Sequence, residues 1–120
     1  MPSPRNEFVD YVVGLMADWA PVSARRMFGG YGLCREGLMF ALIVDDELFI
    51  KTDAENLARL ERAGSRPFVY RNTNRTVQLS YWSAPPAGLD SPAEMREWCE
   101  SAYGAALRAK AAKSAKKGSK

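Results

Sequence analysis

Apolar residues recur at Phe8, Tyr11, Val12, Leu15, Met16 and Trp19, the i, i+3, i+4, i+7, i+8, i+11 spacing of one helix face. Ser3-Pro4 supplies a start, with a hydroxyl to accept a backbone N–H and a proline where no donor is needed, and the helix must stop before Pro21. From Arg26 the period shortens. Glycines and β-favouring residues predict strands near 26–34, 38–44 and 47–51, divided by turns at Arg35-Glu36-Gly37 and Asp45-Asp46. The run from Leu38 to Val44 is apolar at every position, which predicts a central strand covered at least in part on both faces.

Thr52-Asp53-Ala54-Glu55 offers a capping box for a short helix that carries Leu57 and Leu60 and ends at Gly64. Phe68-Val69-Tyr70 and the segment Thr76 to Trp82 then read as two strands around the polar loop Asn72-Thr73-Asn74-Arg75. Alternation puts Val77, Leu79 and Tyr81 on a core face, and Thr76, Gln78, Ser80 and Trp82 on the other. Three helices can cover only one side of such a sheet, so the face with Trp82 is expected to lie bare and to be available for homodimer formation. After a break at Ala84-Pro85-Pro86-Ala87-Gly88, Ser91-Pro92-Ala93-Glu94 caps a last helix whose buried stripe is Met95, Trp98, Cys99, Ala102 and Ala106. The expected fold is α+β in two layers, α-β(3)-α-β(2)-α, with a five-stranded, mainly antiparallel sheet covered by helices on one face.

A length of 120 residues fits one domain. No stretch approaches the roughly 20 apolar residues of a membrane span, and the start lacks the basic and apolar regions of a secretory signal. A cytoplasmic location with Cys34 and Cys99 reduced is therefore expected. Charge divides the chain at Leu107: residues 1–107 hold eleven basic against fourteen acidic side chains, while the last thirteen residues hold six basic ones and no acid. Residues 108–120 thus read as a basic, Ala/Lys-rich tail, expected to be disordered although its alanines could extend the helix.

The stretch Arg26-Met27-Phe28-Gly29-Gly30-Tyr31-Gly32-Leu33, followed by Met39-Phe40-Ala41-Leu42-Ile43 and Leu48-Phe49-Ile50-Lys51-Thr52-Asp53, resembles the signature of the TfoX/Sxy N-terminal domain family. Phe68-Val69-Tyr70 and Tyr81-Trp82 continue the resemblance, which covers roughly 5–105. It implies the same order of elements, a domain over 1–107, and a role in competence and transcriptional regulation exercised with a transcription activator. Full-length members carry a second, helical domain that these 120 residues do not contain.

Candidate chemistry is sparse. The family-motif residues Met27, Phe28, Gly29, Gly30, Tyr31 and Gly32 include a glycine cluster that could cradle a phosphate, but a strand follows it rather than a helix, and no Lys-Ser/Thr follows. A strand bulge or close backbone approach is the more economical reading. Without histidine, no Ser-His-Asp or Cys-His arrangement can be built and the commonest metal ligand is missing, so neither an enzyme, a cofactor nor a metal is expected. Asp45 and Asp46 read as turn formers, and Cys99 as a buried thiol. Arg59, Arg62, Arg66, Arg71 and Arg75, interleaved with Phe68 and Tyr70, form one candidate surface for nucleic acid or a protein partner. Arg108, Lys110, Lys113, Lys116, Lys117 and Lys120 form a second, suited to sequence-blind contact with a polyanion. The reading is a non-enzymatic regulatory or binding module. A small-ligand-binding domain or an enzyme using a groove between sheet and helices, and a structural dimerisation module, stay open beside it.

Overall fold

The computed structural model describes residues 6–27, 29–71 and 76–118, and the side chains among them other than those of 70–78 and 115–118. The elements are α1 (Glu7–Met16), β1 (Ser23–Met27), β2 (Gly30–Arg35), β3 (Leu38–Val44), β4 (Glu47–Lys51), α2 (Leu57–Arg62), β5 (Pro67–Arg71), β6 (Thr76–Ser83) and α3 (Pro92–Gly118), with a 3-10 turn at Pro86–Leu89. All strand pairs are antiparallel, in the order β1-β2-β3-β4-β6-β5.

Six strands stand where five were predicted, because the first predicted strand is two. Gly29 adopts a φ of 75°, where glycine is at home, and the chain doubles back so that Met27 lies opposite Gly30. The sequence hides this hairpin because β1, Ser-Ala-Arg-Arg-Met, is an edge strand with little to bury. The turns at Glu36-Gly37 and Asp45-Asp46 fall where expected, each with two successive positive φ values, as tight hairpins between right-twisted strands require. The expected loop Asn72–Arg75 and the expected helix start at Ser3-Pro4 lie outside the described residues. Asn6 caps α1 instead, its side-chain oxygen accepting the Phe8 N–H at 2.7 Å.

The three helices bury one face of the sheet. Val12 and Met16 of α1, Leu60 of α2, and Met95, Trp98, Cys99 and Ala102 of α3 join Leu33, Ile43, Leu48 and Ile50 in a single cluster. Leu33 pairs with Ala41 and Cys34 with Met39, which leaves Phe40 as the extra residue of a β-bulge. Phe40 and Ala41 can therefore both face the helices. Phe40 meets Trp19 and Tyr103 edge to face, with ring centroids 5.4 and 6.0 Å away.

The opposite face is not bare. Leu42, Phe49, Phe68 and Tyr81 are buried there in a second cluster, flanked by Met27, Met39, Val44 and Leu79. Gly32 leaves room for the Met27 and Met39 sulfurs, and the small Ser83, opposite Phe49, lets Phe68 lean onto that ring at 4.9 Å. Tyr81 and Leu79 thus belong to this second face rather than to the helix-covered core, and Trp82 is the reverse of what alternation suggested. It lies opposite Ile50 and packs partly buried on the helix side.

One further local reading is corrected. The box at Thr52 is replaced by an Asp53–Asn56 arrangement, in which the Asp53 carboxylate accepts from the N–H groups of Glu55 and Asn56. The buried Asn56 side chain accepts from Asp53 N–H and donates to the carbonyl of Lys51 and to Ser101 of α3. At the other end, α3 begins as expected, with Ser91 Oγ accepting the Glu94 N–H, but it passes Leu107 without a break. The backbone is helical to Gly118, an extension of the kind that the alanines of this segment allow.

Candidate functional site

Three side chains of the arginine-rich stretch, those of Arg59, Arg62 and Arg66, are described. Arg59 is paired with Glu97 of α3 at 3.0 Å and lies over the Trp98 ring at 4.4 Å, while Arg66 is paired with Glu47 of β4. Arg62 is exposed on α2 without an ion pair among the described residues. The side chain of Arg71, and Arg75 altogether, lie outside what is described. The guanidinium groups of Arg59 and Arg66 therefore hold elements of the fold together.

The glycine cluster is steric in character. A Cβ on Gly30 would sit 2.1 Å from the Ile43 carbonyl oxygen, so β2 and β3 come closer there than any side chain permits. Tyr31 packs against the main core. One small hollow over Gly29 and Gly30 is bordered by Asp45 and Asp46, whose charges repel a phosphate, and a second is bordered by Arg26 and Met27. Phe28 lies outside the described residues. Asp46 accepts from the Asn6 side chain at 2.7 Å, a contact that ties the β3–β4 turn to the start of α1.

Cys34 and Cys99 are both free and buried, and burial pushes the Cys99 thiol up to about 12. Such a thiol is neutral and unreactive at physiological pH. Among the described residues no three His, Cys, Asp or Glu side chains gather as a metal site would need, and no helix is long and apolar enough to cross a membrane.

The basic segment has a different organisation. Arg108 is bound by Asp53, with Nη2 donating to Oδ1 at 3.0 Å, and by Glu55 at 3.3 Å, so it fastens α3 to the start of α2. Its hydrogen bond holds the Asp53 carboxyl below the usual carboxylate range. One turn further on, Lys110 and Lys113 are exposed and make no ion pair among the described residues. The side chains of Lys116 and Lys117, and Lys120 as a whole, lie outside the description.

Lys110 and Lys113 border a groove of about 430 Å³ between α3 and the second face of the sheet. Its other sides are Glu36, Gly37, Leu38 and Met39 from the β2–β3 hairpin, with Lys51 of β4 and Tyr81 of β6. Lys51 donates to Ser80 Oγ at 2.8 Å, and its ammonium lies 5.2 Å from the Tyr81 ring centre. Burial, then the neighbouring Lys113, lower the Lys51 pKa, against a smaller opposing pull from Asp53. Sequence reasoning missed Lys51, since a single lysine at a strand end carries no pattern. Its neighbours arrive from thirty and sixty residues away.

The comparisons with known proteins agree with the fold. A stretch of 71 residues, 59% of the chain, is 31% identical to the DNA transformation protein TfoX1 of Aliivibrio fischeri. The match takes in 34% of that protein, so the chain spans about a third of this relative's length. Residues 14–106 match the TfoX N-terminal domain, from within α1 to the last buried turn of α3, and the chain belongs to that family.

Proposed function

We propose that this chain is a non-enzymatic regulatory module that acts on transcription in DNA-uptake competence, and that the distal part of α3 gives it a contact to nucleic acid. Kinship with a DNA transformation protein supports the competence setting. The observation that carries the contact is the continuation of α3 to Gly118 beyond the last buried position, Ala106, which holds Lys110 and Lys113 in solvent on a helical backbone. Arg108 is committed to Asp53, and the segment carries five lysines besides.

Fluorescence anisotropy of a labelled duplex, titrated with the full chain across a range of KCl, tests this reading. Engagement of most of the five lysines gives a log-log salt slope of about −3 to −4.5 and little sequence preference. Replacing Lys110, Lys113, Lys116, Lys117 and Lys120 by glutamine abolishes the binding. No binding at low salt, or equal binding by the two proteins, would refute the contact and leave regulation to a protein partner alone.

A further inference from the structure

The groove beside α3 combines a charge pattern with an apolar wall. Lys51, Lys110 and Lys113 bring three ammonium groups to it and Glu36 one carboxylate, a net of two positive charges. Glu36 makes no ion pair with any of the three. Asp53, the other acid that acts on Lys51, is already bound by Arg108. Burial pushes the Tyr81 hydroxyl up to about 12, so it keeps its proton, and it donates to no group among the described residues. Three lysines and a tyrosine around one concavity, with a single carboxylate among its lining residues, attract an anion.

The rest of the lining selects what the anion is attached to. Leu38 and Met39 form one side, and Ala106 and Ala109 the facing side. A thioether adapts to ligands of varied outline, and alanines on the helix keep the space open. About 430 Å³ falls within the range of small-molecule pockets and exceeds what a bare oxyanion needs. Two net charges match a phosphate monoester, which is largely dianionic at neutral pH, and lysines serve as point-charge partners for phosphate.

We propose that this groove binds a small organic phosphate monoester, with the phosphate held by Lys51, Lys113 and the Tyr81 hydroxyl and the organic part lying against Met39, Leu38 and the alanine face of α3. Lys110 adds long-range attraction from the rim. The site lies under the first turns of α3 beyond Leu107, so the helical continuation supplies its roof.

Phenyl phosphate, inorganic phosphate and phenol serve as probes, followed by NMR of the labelled full chain at the Met39 methyl and the Lys51 and Lys113 side chains. Phenyl phosphate shifts these signals saturably and binds about tenfold or more tightly than either of the other two, since each lacks half of the recognition. Its binding raises the Lys51 pKa. Lys51→Gln and Lys113→Ala each weaken it about tenfold, whereas Arg62→Gln, on exposed α2, leaves it unchanged. Lys113 is exposed, so its variant carries the test if Lys51→Gln perturbs the fold.

Equal affinity for phenol and phenyl phosphate would overturn the proposal, as would unaltered binding by Lys113→Ala or the absence of any saturable shift at millimolar probe. Duplex DNA distinguishes the source of the phosphate. If Lys51→Gln weakens duplex binding while phenyl phosphate fails to bind wild type, the groove serves nucleic-acid backbone and the small-molecule assignment falls. Failure of the lysine-to-glutamine series on duplex alone refutes the regulatory contact and leaves the groove standing.

Discussion

Gly30 and Gly32 sit two residues apart on β2, both buried, and the same substitution should have opposite consequences at the two. A methyl group on Gly30 meets backbone: the Ile43 carbonyl oxygen lies 2.1 Å from the Cβ position, against 3.4 Å for ordinary contact. The oxygen must retreat by about 1.3 Å, which carries a ladder hydrogen bond of roughly 2.9 Å out of range. Overpacking of about 1–3 kcal/mol then adds to roughly 1–3 kcal/mol for a buried backbone group left unsatisfied, giving about 2–6 kcal/mol for Gly30→Ala. At Gly32 the obstacles are the Met27 and Met39 sulfurs, 2.5 and 2.6 Å away, and these are ends of flexible side chains that can rotate. The lost unfolded-state entropy of glycine returns about 0.4–1 kcal/mol, so Gly32→Ala stays within about 1 kcal/mol of wild type. Urea denaturation reads both. With a slope of about 1–2 kcal/mol/M, Gly30→Ala lowers the midpoint by about 1 M or more and Gly32→Ala moves it much less. A Gly30→Ala midpoint close to wild type, or equal losses at both sites, would show that the close approach of β2 and β3 is not what demands glycine.

Asp53→Asn should flatten the acid limb of stability. Arg108 depresses the folded Asp53 pKa, so the contribution is complete above the unfolded value of about 3.9 and is lost as pH falls through the folded one. Partial exposure of both groups keeps this below about 1 kcal/mol, and urea midpoints at pH 7 and pH 3 that change equally in wild type and variant would contradict it. Trp98→Ala should cost about 3–5 kcal/mol, since the ring is only 7% exposed and fills the space beside Gly88, while the half-buried Trp19 costs less. Equal denaturant midpoints for the two alanine variants would remove that ranking.

What was legible in the sequence followed from local chemistry. The unbroken apolar run Leu38–Val44 does occupy the sheet centre and is covered on both faces, and Asp45-Asp46, Gly64 and Ser91 act where their residue types suggest. Errors arose where the deciding partner is remote. Trp82 was assigned by simple alternation, but its side is fixed by pairing with Ile50, thirty-two residues earlier. Thr52 matched a capping box, yet Asp53 and Asn56 form the reciprocal pair one residue further on, and Ser101 of α3 offers the Asn56 amide an additional partner. Among the candidate contacts, Arg59 and Arg66 were singled out for a stretch of arginines interleaved with aromatics, and Arg108 for the basic segment. Their carboxylate partners, Glu97, Glu47 and Asp53, are nineteen to fifty-five residues distant. Lys51 was overlooked for the same reason.

The packing of α3 on α1 has a consequence for how the chain is made. A ribosome delivers Val9, Val12 and Met16 well before Trp98, Cys99 and Ala102, yet these groups share one cluster with the sheet strands between them. The meander β1 to β4 joins neighbours in sequence and can pair soon after it emerges. Its helix-facing side, with Leu33, Ile43, Leu48 and Ile50, then stays wet until the last helix arrives. Throughout that interval a nascent chain shows an apolar surface to the cell, so α3 acts as the closing lid of this sheet, and a truncation before Ala102 would hand the domain to chaperones rather than yield a smaller one.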